Sequence, residues 1–590
     1  MNQTMDMSVL DKIADRLSKY IDSGAPPTEE MRMASRLAYQ LGLSMYANAV
    51  DEDDLVTAGL AYHAVIQGQA CYIFENDKPL VVHQKNFIGD EKSTDTPIVL
   101  RDSLGLSPMV YLRRMDTLEA RLAEKLRALA QPREHSWPMT DIEASLSAEI
   151  RGNTKQFSAV QKLAKTRLVI VTGGPGSGKT FLLSSLLDVA TKHGGIKKDN
   201  IKLVAPTGRA ARRIGESLLK PWKVDYDVEI GMAKGDAVQP QTIHSLLLQD
   251  DAMDDLELLV IDEASMVDLM LFDKVMVRIT RDGSRCSLVL IGDANQLPSV
   301  EVGSVLLDLC EAKALELVKE TLIGSQRSKV NESIMRNAES VMNGKPSVEL
   351  VQNVGILDSD ESIKNLVNLV CQDGPHFEKV REYCLEEKTK FKPNVDPTLI
   401  GSFAEIQSAA ANGDPAKALA MSDSVRVLCS QLRGPLGSET ISSLIAERLG
   451  IKISKTSASC GALLMVTRNH RSTGLANGDV GVVARAAPNS KEVLVYFKDR
   501  PRGYALSELP EFIPAFATTI HKSQGSEYAF SVVVLSDVAR KGFLNKQLIY
   551  TAITRAKYDF MIFASKKDTF ETACSTPVLR ASGLAARLRN

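Results

Sequence analysis

The feature that most restricts the fold of this chain is a glycine-rich loop between an apolar strand and an apolar helix. The stretch LVIV, residues 168–171, leads into TGGPGSGKT and then FLLSSLLDV. In this setting backbone N–H groups and the helix N-terminus bind phosphate oxygens, the lysine reaches the β and γ phosphates of ATP, and the threonine ligates Mg²⁺. The sequence therefore predicts an ATP site formed by Gly173, Gly174, Pro175, Gly176, Ser177, Gly178, Lys179 and Thr180.

A second apolar strand, in LELLVIDEA, ends in an acid pair, Asp262 and Glu263. Beside a phosphate loop, we expect Asp262 to hold the Mg²⁺ and Glu263 to polarise the attacking water. Hydrolysis also needs positive charge on the γ-phosphate, which arginines from across a cleft supply. The candidates are Arg327 in GSQRSK and Arg555 in YTAITRAK.

Apolar runs alternate with helical patterns over about 150–321, and again through SVRVLCS, FSVVVLS and YDFMIFAS. Buried strands that alternate with helices indicate parallel sheets, so we expect two doubly wound α/β domains. Apolar residues at intervals of three and four before about residue 124 predict a helical N-terminal domain. Three short strands separated by turn residues, LLMVTRN, DVGVVARA and EVLVYF, predict a small inserted β-barrel. The expected division is 1–141 for the N-terminal domain and linker, 142–325 for the first α/β domain, and 326–590 for the second, with the barrel at about 461–512.

The composition excludes several other classes of protein. A formal net charge of -2 gives no sign of a generally basic surface, so any nucleic-acid contact must be local. Aromatic residues make up 5% of the chain, which disfavours extensive base stacking. The eight cysteines include no CxxC pair, which argues against a zinc or iron-sulfur module and favours free thiols. No apolar stretch is long enough to span a bilayer and the N-terminus lacks a signal-peptide pattern, so we expect a cytoplasmic protein without a membrane contact.

The ordered blocks resemble the motif set of superfamily 1 DNA helicases. VTGGPGSGKT is similar to motif I, LVAPTGRAARRIGES to Ia, TIHSLL to the next DNA-contact motif, VIDEAS to II and IGDANQLPSV to III. Arg327 stands where motif IV has its arginine, and TTIHKSQGSEY and YTAITRAK resemble motifs V and VI. Blocks such as APTGRAARR, VTRNHRSTGLANGDVGV and HKSQGSE, with the N-terminal segment AGLAYHAVIQGQACYIFEND, are similar to the RecD family, whose members are subunits of RecBCD (exodeoxyribonuclease V) complexes.

The resemblance implies two RecA-like motor domains, an SH3-like barrel and further site residues. Gln156 would read the adenine edge, Gln296 would sense the γ-phosphate, and Gly525 and Glu527 would contact the nucleotide from the second domain. Seven side chains are expected to contact the DNA backbone: Thr207, Arg209, Thr242, His244, Asn469, Thr519 and His521. The resemblance also implies 5′ to 3′ movement on single-stranded DNA and duplex ends, RecB-like and RecC-like partners in a heterotrimer, and a role in double-strand break repair and recombination.

Two alternatives share these blocks. One is a free-standing RecD-like helicase, and the other is a regulatory subunit that binds ATP as a switch without moving along DNA. The set of Glu263, Arg327 and Arg555 favours turnover. No cluster of Asp, Glu and Lys resembling a nuclease core appears outside the motor, so we expect no nuclease site in this chain.

Overall fold

The computed structural model of this 590-residue chain contains an N-terminal unit, two α/β domains and a small antiparallel sheet. The residues it describes are 7–22, 25–46, 50–74, 79, 82–102, 104, 107–222, 226–227, 232–233, 240–249, 255–323, 329–391, 396–470, 472–498, 500, 502–537, 543–578 and 580–589.

The N-terminal unit packs three helices on a four-stranded sheet and continues into a long helix. In chain order its elements are α1 (Met7–Asp22), α2 (Glu29–Met45), α3 (Glu52–Ile66), β1 (Cys71–Ile73), β2 (Ile88–Gly89), β3 (Ile98–Arg101), β4 (Met109–Leu112) and α4 (Arg113–Ala130). The sheet order is β1-β4-β3-β2. The predicted helical character is confirmed, but the sheet was not predicted because its strands have only two to four residues. Such short runs carry no recognisable period-2 pattern.

The first α/β domain is built on a six-stranded parallel sheet in the order β12-β5-β11-β10-β6-β9. Its central strands are continuous runs of buried Val, Ile and Leu, as expected of strands covered by helices on both faces. Its elements are α5 (Met139–Ser145), α6 (Ala148–Gly152), α7 (Thr154–Lys165), β5 (Leu168–Gly173), α8 (Lys179–Lys192), β6 (Ile201–Ala205), α9 (Gly208–Trp222), β7 (Tyr226–Asp227), β8 (Met232–Ala233), β9 (Gln241–Thr242), α10 (Ile243–Leu247), β10 (Leu258–Ile261), α11 (Leu269–Ile279), β11 (Ser287–Gly292), α12 (Val305–Glu311) and β12 (Lys319–Leu322).

The second α/β domain has a five-stranded parallel sheet in the order β13-β21-β20-β14-β19. Between β14 and β19 the chain forms an antiparallel sheet in the order β17-β16-β15-β18, close to the predicted barrel. From the second domain to the end of the chain, with the small sheet included, the elements are α13 (Lys329–Met342), α14 (Val348–Gln352), β13 (Gly355–Ile356), α15 (Asp360–Cys371), α16 (Pro375–Phe391), α17 (Phe403–Ala411), α18 (Pro415–Met421), β14 (Val425–Cys429), α19 (Ser438–Arg448), β15 (Leu463–Val466), β16 (Val480–Arg485), β17 (Val493–Phe497), β18 (Phe512–Pro514), β19 (Ala517–Thr519), β20 (Tyr528–Leu535), α20 (Lys546–Ile553), β21 (Ala556–Ala564), α21 (Lys567–Ser575) and α22 (Leu584–Arg587).

Helix α4 connects the N-terminal unit to the first α/β domain. Its buried residues Leu122 and Leu126 belong to the same apolar cluster as Leu168 and Ile170 of β5. The C-terminal helix α22 also packs on α4, where Arg587 forms ion pairs with two buried carboxylates, Asp116 at 2.6 Å and Glu119 at 3.2 Å. The chain therefore returns from the second α/β domain to α4, which lies before the predicted boundary at residue 141.

Two findings bear on the expectations from composition. All eight cysteines are free thiols, six of them buried. Among the described residues, no helix has the length and apolar character needed to cross a membrane.

Candidate active site

The glycine-rich loop joins the end of β5 to the start of α8, as predicted. Gly176 and Gly178 have φ angles of 76° and 89°, a region that other residues rarely adopt. The Lys179 ammonium lies over the loop and donates to the carbonyl oxygens of Gly173 at 2.6 Å and Gly174 at 2.9 Å. Ser177 Oγ is buried and has no hydrogen-bond partner among the described residues. A positive charge, an unsatisfied hydroxyl and a helix N-terminus thus meet at one loop, which suits a phosphate chain.

The acid pair follows β10, two strands away from β5 in the same sheet. Asp262 Oδ1 accepts a hydrogen bond from the backbone N–H of Glu263 at 2.9 Å, and Glu263 adopts a left-handed conformation with φ of 50°. Burial, together with the charge of Glu263, raises the pKa of Asp262 to about 6, although Lys179 and Arg213 act in the opposite direction. A carboxylate that is hard to ionise in the protein alone is well placed to bind a divalent cation. Thr180 lies in the first turn of α8, where its side chain is exposed.

Gln156 lies in the first turn of α7, a helix that packs on β5 and α8. Its residue is 1% exposed, and Nε2 has no hydrogen-bond partner among the described residues. Its backbone N–H is capped by Asn153 Oδ1 at 3.2 Å, which fixes the start of the helix. A buried, unsatisfied amide is costly unless something fills its hydrogen-bonding capacity, so this position suits the recognition of a polar ring edge.

The segment after β11 contacts the second domain directly, and we call Asp293–Leu297 the motif III segment. The Tyr550 hydroxyl donates to Asp293 Oδ2 at 2.9 Å, and Gln296 Nε2 donates to the same oxygen at 3.3 Å. Burial raises the pKa of Asp293, with Lys179 acting in the opposite direction. A side chain at Gly174 would reach Tyr550 Oη at 3.3 Å, so this hydroxyl stands beside the phosphate loop. Asp293 and Tyr550 were not predicted as site residues.

Leu297 anchors the motif III segment in the second domain. Its backbone N–H donates to Thr551 Oγ1 at 2.9 Å, and its carbonyl accepts from Gln524 Nε2 at 3.0 Å. Its side chain is 4% exposed and belongs to the apolar cluster of the second domain, together with Tyr550 and Ile520. Backbone and side chain of one residue are therefore both held by the opposite domain.

A second set of contacts between the domains involves two adjacent arginines of α9. Arg212 forms a bidentate ion pair with Asp479 of the small sheet, at 2.9 and 3.0 Å. Arg213 pairs with Glu527 at 2.6 Å and approaches the Gly525 carbonyl at 3.5 Å. Glu527 and Gly525 thus lie where the two domains meet, and Glu527 contacts an arginine that was not predicted. The only signal for it in the sequence was the run of basic residues in RAARR.

The structure describes one of the two arginines that were predicted as site residues. Arg555 is 2% exposed, and its guanidinium donates to the carbonyl oxygens of Thr551 and Ser526, both at 3.1 Å. It therefore lies beside the motif III contact, where it is held by its own domain. Arg327 lies outside the described residues.

Three of the candidate DNA-contact residues are threonines near the carboxyl ends of strands. Thr207 follows β6, Thr242 ends β9 and Thr519 ends β19, and the last two strands are edge strands of their sheets. Each hydroxyl accepts a hydrogen bond from a backbone N–H three residues later, at 3.2, 3.1 and 3.3 Å respectively. These hydrogen bonds fix the backbone at the carboxyl ends of the strands in both sheets.

The other four candidates lie on exposed or half-buried surface. His244 and Asn469 are exposed, and Asn469 Oδ1 accepts from the Asn477 N–H at 2.8 Å. Arg209 is half-buried in the first turn of α9. His521 is half-buried with its ring 5.7 Å from that of Phe543, and burial lowers its pKa. A neutral imidazole at this position can still donate a hydrogen bond to a phosphate.

Comparison with known proteins shows which families the sequence matches. The sequence matches the AAA domain family over residues 156–302 and the UvrD-like helicase C-terminal domain family over residues 514–560. It is 30% identical over 498 residues to the RecBCD enzyme subunit RecD of Mycolicibacterium smegmatis, with 82% of each chain covered. The RecBCD enzyme subunit RecD of Haemophilus influenzae is also 30% identical, over 74% of this chain and 72% of its own length.

A further relative is the ATP-dependent RecD2 DNA helicase of Deinococcus radiodurans, which is 25% identical over 85% of this chain and 62% of its own length. Among solved structures, a Bacteroides Pif1 helicase in complex with ADP-AlF3 and ssDNA is 16% identical, with a TM-score of 0.39 over 72% of this chain and 95% of that one. On the strength of the two RecD subunits, which align over most of their length, the chain belongs to the RecD family of ATP-dependent superfamily 1 DNA helicases.

Proposed function

We propose that this chain is the 5′ to 3′ helicase and translocase subunit of a RecBCD-type exonuclease V complex, acting on duplex ends in double-strand break repair and recombination. The observation that carries the proposal is a single cleft with the phosphate loop and the acid pair on one wall and the second α/β domain on the other. Lys179 and Asp262 belong to the first wall, and Tyr550 and Glu527 belong to the second. The names of the RecD relatives support the assignment to such a complex.

In this cleft, the phosphate loop, Gly173–Thr180, would hold the triphosphate of ATP, and Gln156 would read its adenine. Thr180 and Asp262 would hold Mg²⁺, which supplies positive charge to the β and γ phosphate oxygens. Glu263, at the end of the same strand as Asp262, would orient the attacking water. Gln296, which already bonds to Asp293, would respond to the γ-phosphate.

Arginines would complete the site from the second domain. Arg555 would exchange its bonds to the Thr551 and Ser526 carbonyls for the γ-phosphate as the cleft closes, because charge on the transferring group attracts a guanidinium more strongly than a neutral carbonyl does. Arg327 would contribute in the same way.

Movement along DNA would follow from closing and opening of the cleft. Each domain contributes threonine side chains that accept a backbone hydrogen bond near the carboxyl ends of its strands. Thr207 and Thr242 belong to the first domain, and Thr519 belongs to the second. Together with Arg209, His244, Asn469 and His521, they would hold the phosphate backbone without reading bases. A ligand that bridges the two domains only when they are closed would then move one grip relative to the other.

We propose the same division of the chain that the sequence predicts, with the N-terminal unit as the surface that docks RecB-like and RecC-like subunits in the cytoplasm. Deleting everything before residue 141 is not a suitable test, because it would also remove α4 from the core of the first domain. The full chain should instead be co-expressed with RecB-like and RecC-like proteins. A stable heterotrimer on gel filtration is the expected result, and separate elution of an active helicase would favour the free-standing alternative.

The decisive activity test is strand displacement from 5′-tailed and 3′-tailed duplexes with ATP and Mg²⁺. We expect displacement from the 5′ tail only. Lys179→Ala should abolish ATP turnover, and Glu263→Gln should retain ATP binding while losing hydrolysis, because the amide keeps the shape and loses the charge. Displacement from a 3′ tail alone would contradict the polarity. ATP turnover without any strand displacement would indicate the regulatory ATPase instead.

A further inference from the structure

The two adjacent arginines of α9 join the first motor domain to two different parts of the second. Arg212 contacts Asp479 on the small inserted sheet, whereas Arg213 contacts Glu527 at the nucleotide side of the cleft. Consecutive residues of a helix point about 100° apart, so one helix can serve both contacts. The helix therefore meets the second domain at two separate surfaces.

The two ion pairs differ in burial. The side chains of Arg212 and Asp479 are 16% and 4% exposed, and Asp479 also accepts a bond from the Ala476 N–H at 2.9 Å. The Arg213 side chain is 41% exposed and that of Glu527 is 13% exposed. A partly exposed ion pair is weak and exchanges its partners readily, whereas a buried bidentate pair does not. Only the Arg213 pair is suited to breaking during a reaction cycle.

The acid pair of the first domain also acts on Arg213. The pKa of Arg213 is raised mainly by Glu527, and in addition by the charges of Glu263 and Asp262. One guanidinium is thus stabilised by three carboxylates, two from the first domain and one from the second. Any cation or nucleotide that enters the cleft changes the electrostatic balance around this single group.

The same helix begins at the proposed DNA grip. Arg209 and Arg213 are four residues apart, so they share one face of α9 and are separated by about 6 Å along its axis. Thr207 Oγ1 caps the helix through the Ala210 N–H at 3.2 Å, which ties the grip to the helix. A displacement of Arg213 therefore moves Thr207 and Arg209 with it.

We propose that Arg213 is a positioning residue that couples the nucleotide to the DNA grip through its exchangeable ion pair with Glu527. When ATP enters, Glu527 leaves Arg213 for the nucleotide, α9 is released at the nucleotide side of the cleft while the Arg212 pair holds, and the Thr207 and Arg209 grip shifts relative to that side of the second domain. When the nucleotide leaves, the ion pair forms again. This inference rests on the proposed function, because it assigns Glu527 to the nucleotide.

The test uses the full-length chain with Arg213→Gln and, as a matched control, Arg212→Gln. Steady-state ATPase is measured with and without single-stranded oligo(dT), as a function of ATP concentration. Arg213→Gln should lower the stimulation by DNA about tenfold, a typical coupling between two sites. The KM for ATP should fall or stay unchanged, because Glu527 no longer has to leave an arginine. Arg212→Gln should retain the stimulation by DNA.

A second readout separates coupling from folding. The affinity for fluorescent oligo(dT) is measured by anisotropy with ADP and with a non-hydrolysable ATP analogue. Wild type should show a difference between the two nucleotides that Arg213→Gln loses, while Arg213→Lys should recover part of it. The double variant Arg213→Gln/Glu527→Gln should lose no more stimulation than Glu527→Gln alone, because Glu527→Gln already breaks the ion pair between these two residues.

Several results would overturn the proposal. They are an equal loss of ATPase with and without DNA, the same defect in Arg212→Gln, or additive losses in the double variant. If wild type itself shows no stimulation by DNA, the proposed function fails. If wild type is stimulated and Arg213→Gln is stimulated equally, only the coupling role fails.

Discussion

The two motor domains meet in two ways that differ in chemistry. The fixed contact consists of the motif III segment with Gln524, Tyr550 and Thr551, and the side chains that form its hydrogen bonds between the domains are buried. The exchangeable contact is the partly exposed ion pair of Arg213 with Glu527, next to the buried pair of Arg212 with Asp479. Both cross the same cleft. From their difference in solvent access we expect one side of the cleft to stay closed and the other to open.

The free energies needed to break the two contacts support this division. Breaking a buried hydrogen bond without a replacement costs about 1 to 3 kcal/mol, and Leu297 has two such bonds to its backbone. An exposed ion pair contributes about 0 to 1 kcal/mol, because water and salt compete for both charges. Binding of ATP can therefore overcome the Arg213 pair far more easily than the anchor at Leu297. The domains are expected to rotate about the motif III segment.

The largest effect is expected from Leu297→Ala. The side chain is buried in the cluster of the second domain, so its loss should lower the stability of the docked domains by about 2 to 5 kcal/mol. Thermal unfolding followed by calorimetry should show the two motor domains melting separately, and ATPase should be lost. Val300→Ala, in the same loop but 72% exposed, is the control and should behave as wild type. Normal ATPase in Leu297→Ala would show that the contact is not fixed.

Tyr550→Phe tests the polar part of the fixed contact. Removing the hydroxyl leaves Asp293 Oδ2 without one of its donors and should lower kcat about tenfold, the equivalent of roughly 1.4 kcal/mol. The KM for ATP should change little, because the phosphate loop is untouched. Tyr528→Phe is the matched control, since Tyr528 is equally buried in the same cluster and its ring stays beneath Arg426. Equal defects in both variants would point to packing instead.

Local pattern explains which of these features could be predicted from the sequence. The phosphate loop, Asp262 and Glu263 each follow a run of Val, Ile and Leu, so strand and site are encoded within a few residues. The partners of the two contacts are not encoded in this way, since Tyr550 and Asp293 are 257 residues apart. Neither residue has a neighbour in the sequence that indicates the other. The contact of Arg213 with Glu527 could not be predicted either, because α9 has the sequence pattern of an ordinary amphipathic helix.

The same reasoning applies outside the cleft. The N-terminal sheet was missed because strands such as Ile88–Gly89 are too short to show a period, and they form only through pairing with distant strands. The position of Arg555 at the cleft followed from its motif, but its bonds to two carbonyls did not, because they depend on how the loop before β20 meets α20.

Asp262→Asn tests the effect of a buried charge on the side of the cleft where Arg213 and Glu527 meet. The pKa of Asp262 is about 6, above its ordinary value of 3.8, so the folded protein binds this proton more tightly than the unfolded chain does. The stability from this group is fully present below about pH 4 and is lost as pH rises through 6. At pH 7.5 the ionised carboxylate, facing Glu263, therefore lowers the stability of the protein without metal or nucleotide.

Replacement by asparagine should raise the Tm in EDTA at pH 7.5 by roughly 2 to 4 °C, the effect of about 1 kcal/mol, while abolishing ATPase. The gain should be smaller at pH 5, where wild-type Asp262 is mostly protonated. Asp268→Asn is the control, because either side chain can cap α11 through the Leu271 N–H. An equal gain at both pH values would show that the charge is not the cause.

The smallest expected effect concerns salt, and it distinguishes the two arginines. Added NaCl weakens the partly exposed Arg213 pair more than the buried Arg212 pair, because screening acts mainly on exposed charges. The measurement is the affinity for a fluorescent ATP analogue without DNA, since DNA binding has its own strong salt dependence.

Salt weakens nucleotide binding in every variant, but in wild type it also frees Glu527 from Arg213. The affinity of wild type should therefore fall less steeply between 0.05 and 0.5 M NaCl than that of Arg213→Gln, by a factor below about five, which corresponds to less than 1 kcal/mol. Arg212→Gln should follow the wild-type slope. Equal slopes for wild type and Arg213→Gln would mean that the Arg213 pair does not compete with the nucleotide, and both contacts would then have to be regarded as fixed.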